Sequence, residues 1–169
     1  MLDAIAGRAS CRSFKPDPVP DEMVEELVEA ALSAPSANNA RPWHPIVVRG
    51  AEKRKALSLT HQWAFFCAES PVVIAVCGDE KCSPHWWPED CAAAVENILI
   101  QATALGLGTC WVGVRGSEER GMEREEHVSA VLGIPDHVRV SALIAVGFPA
   151  TELRPKGPGP MEAVHHEEF

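Results

Sequence analysis

The chain has 169 residues, 46% hydrophobic and 23% charged, and its 15 Lys and Arg stand against 24 Asp and Glu for a formal net charge of −9. This composition excludes an intrinsically disordered chain and fits a single domain, residues 1–169, large enough to bury about two-thirds of its unfolded surface. The acidic balance excludes nucleic acid as the main partner, because a phosphate backbone recruits clustered Lys and Arg, yet it leaves room for one local basic pocket.

A short helix is predicted over Asp3–Gly7. Pro20 and Asp21 are a helix start signal, and Met23, Val24, Leu27, Val28, Ala31 and Leu32 follow at helical spacing up to Ala34–Pro35. The stretch APSANNARPW (34–43) reads as a loop, and HPIVVRG (44–50) as a strand. Residues 51–70 read as one or two helices, and the continuous apolar run PVVIAVCG (71–78) as a buried strand. DEKCSPHWWPED (79–90) is rich in turn residues, and Pro88 marks the first position of a helix reaching Leu105. That helix is apolar on nearly every face, so it is expected to be buried all round, with a second subunit covering its other side. GLGTCWVGV (106–114) reads as a turn and strand, residues 117–135 as an amphipathic helix, and residues 137–149 as a long buried strand. The tail from residue 150 carries Pro155, Pro158 and Pro160 and reads as an extended arm with a short helix or strand at its end. Strands and helices do not alternate strictly, which indicates α+β over a doubly wound sheet.

MLDAIAGRAS has no basic segment before an apolar one, and no run of about 18 apolar residues occurs, so a cytoplasmic protein without a membrane span is expected. The six cysteines are then expected to be reduced thiols. Cys77, Cys82, His85 and Cys91 form a loose cluster with irregular spacing, better read as small buried residues than as metal ligands.

Three stretches carry chemistry. Arg8, Ser10 and Arg12 lie at every second position, and in an extended segment such positions share a face. Two guanidinium forks and a hydroxyl on one face make a phosphate clamp; the competing reading is a cluster of exposed arginines at a helix end. In PSANNARPW, Pro35, Ser36, Asn38 and Asn39 offer backbone and amide groups suited to a heterocycle edge, or else a polar loop capping a helix. Gly106, Gly108 and Gly113 follow a helix and precede a strand, the reverse of the dinucleotide-binding order, so a Rossmann site or P-loop is not expected. Gly106 fits a helix C-cap, while Gly108 and Thr109 would let backbone approach a flat ligand. No GxSxG or HExxH occurs, no histidine sits in a triad pattern, and Asp90 and Glu96 read as structural hydrogen-bonding groups.

Taken in order, RASCRSF, APSANNARPW, PVVIAVCGD, DCAAAVENILIQATALGLGTCWVG, LGIP and ALIAVGFP resemble the FMN-dependent nitroreductase family from Arg8 to about Pro149. The resemblance implies an α+β nitroreductase-like fold, with a central, mostly antiparallel sheet flanked by helices. It further implies an intertwined homodimer with an extended C-terminal arm and FMN at the subunit interface. Arg8, Ser10 and Arg12 would then grip the FMN phosphate and ribityl chain. Pro35, Ser36, Ala37 and Asn39 would approach the ring from the other subunit, and Leu107, Gly108 and Thr109 would contact it through backbone groups. A base in the tail, Arg154 or Lys156, would reach the phosphate. The implied activity is electron transfer from NADH or NADPH to nitroaromatic, quinone or related small acceptors in a ping-pong order. No catalytic side chain is required, because FMN carries the chemistry. The rival readings are a flavin-binding redox sensor or store, and a thiol-based metal protein. The sequence departs from the family pattern at Arg41, where glutamine is common, and in RPKGPGP, where a proline stands in place of a second base.

Overall fold

In the computed structural model, which describes residues 1–119 and 122–169, the two continuous apolar runs become the inner strands of a four-stranded sheet. These are β2 (Val72–Asp79) and β6 (Val138–Gly147), flanked by β1 (Trp43–Val48) and β3 (Gly108–Gly113) in the order β1-β2-β6-β3. Every pairing is antiparallel, as the resemblance implies. Both faces of the inner strands are covered, which is why these runs show no polar alternation.

The period of two sorts the side chains into two cores. Val72, Ile74, Val76, Ile144 and Val146 face α2 (Asp21–Leu32) and the long α5 (Trp87–Ala104). Val73, Ala75, Cys77, Leu143 and Ala145 face α3 (Ala51–Leu57), α4 (Phe66–Glu69) and α6 (Arg124–Leu132). The short α1 (Asp3–Gly7) lies against α5 near Thr103. The outer face of α5 is only half covered: Ala92, Ala93 and Ile100 are half-buried and Glu96 is exposed. Asn97 donates to the Ala30 carbonyl at 2.9 Å and ties α5 to α2.

One break in register matters for the site. The β2–β6 pairing shifts between Val76 and Cys77, which leaves Ser141 of β6 without a partner residue. This bulge turns the Ser141 carbonyl outward, where it accepts the N–H of Val114 at 3.2 Å and of Arg115 at 3.4 Å.

Two expectations need correction. The helix expected over 117–135 starts only at Arg124, and Glu118–Glu119 (β4) pairs with Met122–Glu123 (β5) as a small hairpin. Residues 120 and 121 of that expected helix lie outside the described residues. The charged stretch has no apolar periodicity before Val128, so nothing holds a helix there until α6 can bury that residue. Pro88 occupies the second helical position, because Trp87 opens α5. The tail forms no strand; its one regular element is a 3₁₀ turn at Met161–Ala163. Among the described residues no helix is long and apolar enough to cross a membrane.

The buried thiols carry a pH prediction. Burial pushes Cys67, Cys77 and Cys91 up to about 12 from the ordinary 9.0. Unfolded thiols ionise near 9.0 and the native ones do not, so the native state binds more protons above that pH. The stabilisation is therefore complete below pH 9 and is lost as pH rises toward about 12. Urea midpoints should fall between about pH 8 and pH 10.5, and fall less in Cys77→Ala. Equal slopes in the two proteins would refute the assignment.

Candidate functional site

The arginine strip begins where α1 ends. Arg8 adopts extended dihedrals (φ −62°, ψ 123°), and from there to Phe14 the chain forms no helix or turn and makes β-bridges at Ser10 and Phe14. Ser10 forms a parallel bridge with Thr109, and the Cys11 N–H donates to the Thr109 carbonyl at 2.8 Å. Further along, Lys15 N–H donates to Phe148 O at 2.8 Å and Ala150 N–H to Ser13 O at 3.0 Å. The strip is thus pinned to the start of β3 and the end of β6 by backbone alone. Alternation then turns Cys11 inward and leaves Ser10 and Arg12 exposed.

Gly108 makes this docking possible. A Cβ there would lie 2.7 Å from both Cβ and Sγ of Cys11. The space above Gly108 is filled by Cys11, and Leu107, Gly108 and Thr109 are all buried and line neither cleft described below. On its Cβ side Gly108 opens to the strip.

Arg8, Ser10 and Arg12 line a cleft of about 540 Å³ together with Arg154 and Lys156 from the tail. None of these four cations makes an ion pair among the described residues. Arg12 also lines a second groove, of about 410 Å³, that runs along the open edge of β3. Trp111 and Gly113 of β3, Trp63, Phe66 and α5 residues Pro88 and Ala92 wall this groove. A Cβ on Gly113 would meet nothing within 4 Å, so the backbone there is open. The two cavities share Arg12 as a lining residue: one is lined by Arg8, Arg12, Arg154, Lys156 and Glu152, the other by aromatic side chains together with Arg115 and Arg124. Sequence reasoning missed the aromatic groove, because its walls come from three separate segments. The exposed Trp63 and Trp111 were the one available signal.

The PSANNARPW loop is built differently. Asn38, Asn39 and Arg41 have φ of 51°, 54° and 51°, left-handed conformations that cost on the order of 1 kcal/mol or more each for non-glycine residues. Hydrogen bonds hold them there. Ala37 N–H donates to Asp90 Oδ1 at 2.9 Å, Arg41 N–H to Ser36 Oγ at 2.9 Å, and Arg41 Nε to Asn39 Oδ1 at 3.0 Å. Asp90 is buried on α5 and also accepts the Ser83 hydroxyl at 2.9 Å, which confirms a structural role for this carboxylate. Asp90→Ala would strand both donors and should cost about 2–3 kcal/mol, read as a lower urea midpoint. An unchanged midpoint would remove Asp90 as the anchor of the loop.

The loop leads into β1, at the opposite edge of the sheet from β3. Three strand spacings, about 14 Å, separate the two edges. None of Pro35, Ser36, Ala37 and Asn39 lines either cavity, so one chain does not bring them to the arginine strip.

The remaining candidates disperse. Cys77 and Cys91 belong to the two different cores, His85 is exposed, and the exposed Cys82 thiol donates to Asp79 Oδ2 at 3.4 Å. Among the described residues no group of three His, Cys, Asp or Glu is placed to hold a metal ion. In the tryptophan pair, Trp86 is exposed and Trp87 is buried beneath the guanidinium groups of Arg115 and Arg139.

An antiparallel sheet between two helical layers, with a basic strip beside an aromatic groove at its open edge, is an α+β nitroreductase-like fold. The chain belongs to the Nitroreductase family, which it matches over residues 5–66 and 58–148. It is 38% identical over 152 residues to the Methanothermobacter thermautotrophicus protein named "Putative NADH dehydrogenase/NAD(P)H nitroreductase", covering 89% of this chain and 78% of that one. It is 26% identical over 189 residues to an FMN reductase [NAD(P)H] of Bacillus subtilis, covering 99% and 73% of the two chains. An FMN-dependent nitroreductase from Clostridium difficile superposes with a TM-score of 0.94 at 30% identity, over 100% of both chains.

Proposed function

We propose that this chain is an FMN-dependent oxidoreductase that takes electrons from NADH or NADPH and delivers them to nitroaromatic, quinone or related small acceptors, as a cytoplasmic homodimer. The observation that carries the proposal is the pair of cavities that share Arg12 as a wall. FMN has a phosphate dianion at one end and a flat ring at the other; Arg8, Arg12, Arg154 and Lys156, with no ion pair among the described residues, line one cavity, and Trp63 and Trp111 wall the other. Relatives named FMN reductase and FMN-dependent nitroreductase support the same reading.

In this reading Arg8, Ser10 and Arg12 hold the phosphate and ribityl chain, and Arg154 and Lys156 close over the phosphate from the tail. Trp111 and the open backbone at Gly113 bound the ring. Leu107, Gly108 and Thr109 serve by seating the strip. Bound FMN would supply the redox chemistry between nicotinamide and acceptor, so that no side chain of this protein need carry electrons. The protein orients the ring, anchors the phosphate and shields the groove from water.

A second copy of the chain supplies what one copy lacks. The Pro35, Ser36, Ala37 and Asn39 loop is rigid, strained and distant from its own strip, so it serves the ring bound by the other subunit. The half-covered face of α5 and the exposed Met1, Leu2, Ile5, Met161, Val164 and Phe169 offer apolar surface for a partner to cover. Purified protein is expected to be yellow, to release FMN on heating, and to scatter light as twice its 18.3 kDa chain. NADH or NADPH should bleach it, and a nitroaromatic or quinone should restore the colour. Bound flavin that neither nicotinamide reduces would favour a sensor or store, and a colourless protein that takes up no FMN would overturn the reading.

A further inference from the structure

We propose that Arg115 selects substrates by charge, recognising an anionic group at the end of the aromatic groove remote from the phosphate strip. The inference rests on the FMN reading above and names the class of second ligand: a carboxylate-bearing acceptor or the 2′-phosphate of NADPH.

The groove along β3 is lined by Arg12, Arg115, Arg124 and His61, and by no aspartate or glutamate among the described residues. That is unusual in a chain with a net charge of −9. A concave site lined by one sign of charge focuses the field and draws in ligands of the opposite sign. The cations differ in what they are free to do. Arg124 is spent on Glu119 at 3.1 Å. Arg12 is taken by the phosphate end. Arg139, outside the groove, is held by Glu125 at 2.7 and 3.0 Å and by Glu80 at 3.1 Å. Arg115 makes no ion pair among the described residues.

Arg115 is nevertheless held in place. The bulge at Ser141 fixes its backbone N–H, and its guanidinium carbon lies 5.5 Å from the centre of the Trp87 ring. Trp87 is itself fixed from below, because a Cβ on Gly78 would lie 2.9 Å from its ring. Arg139 lies at 5.6 Å from the same ring, and a cation–π contact of this kind uses none of the N–H donors of a guanidinium. Arg115 is thus an exposed guanidinium lining the groove, anchored through its backbone and its contact with Trp87, with no ion pair among the described residues.

The test uses the FMN-loaded dimer. One arm compares kcat/KM for para-nitrobenzoate with that for neutral para-nitrobenzamide, with NADH as donor. The other compares NADPH with NADH, with a neutral quinone as acceptor. Flavin absorbance reports FMN occupancy in every variant. Wild type should favour the anionic member of at least one pair. Arg115→Gln should lower that ratio about 10-fold, as expected for one charge-assisted hydrogen bond, and Arg115→Lys should retain most of it. A change in the acceptor arm identifies a carboxylate as the ligand group, and a change in the nicotinamide arm identifies the 2′-phosphate. The wild-type ratio should also fall as salt rises from about 50 to 500 mM, which tests the idea even where a variant has lost FMN. Ratios indifferent to salt, or to Arg115→Gln with FMN retained, overturn the inference. A wild-type flavin that neither NADH nor NADPH reduces overturns the underlying oxidoreductase reading instead.

Discussion

Replacing Arg12 with alanine is expected to weaken FMN binding about 100-fold, or ~2.7 kcal/mol. Arg12 lines both cavities, so under the proposed binding mode its loss would remove contacts at the phosphate and at the approach to the ring together. A hydrogen bond to a charged group contributes about 1.5–3 kcal/mol, and Arg12 is placed to make more than one. Arg8, Arg154 and Lys156 line only the phosphate end, so alanine at any one of them should cost less, about 10-fold. The fold should not suffer. The Arg12 side chain is exposed and unpaired, and the strip is pinned by the Cys11 N–H rather than by arginine. Titrating apoprotein with FMN and following flavin fluorescence gives the affinity, and a thermal melt of the same sample gives the stability. A dissociation constant within about threefold of wild type would remove Arg12 from the site.

Gly108→Ala is expected to damage stability and cofactor binding together. Its methyl group would lie 2.7 Å from Cys11 Cβ and Sγ and 3.1 Å from Pro149 Cγ. Cys11 cannot retreat without breaking its 2.8 Å hydrogen bond to Thr109, and Gly108 is itself paired with Gly147 in the β3–β6 ladder. Overpacking of this kind costs about 1–3 kcal/mol, and each kcal/mol lowers the melting temperature of a chain this size by about 2–4 °C. The same displacement shifts Ser10 and Arg12 out of line, so FMN affinity should fall as well. Gly113→Ala is the informative comparison. Nothing lies within 4 Å of the added methyl group, so its melting temperature should match wild type while FMN binding weakens. If Gly108→Ala melts with wild type, the strip does not depend on close approach at that glycine.

Much of this molecule is legible in short stretches of sequence. The apolar runs at 71–78 and 137–149 read as inner strands because burial on both faces leaves no polar residue to interrupt them. Arg8, Ser10 and Arg12 read as a shared face because the period of an extended chain is two, whatever the rest of the fold does. Where local pattern and tertiary context diverge, context wins. The charged stretch that opens the expected helix at 117 suits an exposed helix, but without an apolar stripe Glu118–Glu119 and Met122–Glu123 pair as a hairpin instead.

What only the tertiary structure decided is who meets whom. Antiparallel pairing of β3 with β6 brings Phe148 and Pro149 beside the N-terminal strip, and the tail that follows adds Arg154 and Lys156 to it. The aromatic groove exists because β3 is an edge strand, so that Trp111 and Gly113 face open space with Trp63 and α5 on either side. The orientation of Arg115 depends on a one-residue bulge at Ser141, which no periodicity announces. Sheet order also places the Asn38–Asn39 loop at the far edge, away from both cavities of its own chain. Sequence periodicity reports how a residue sits on its own element. Strand order, edges and bulges set the distances between elements, and the site is made of those distances.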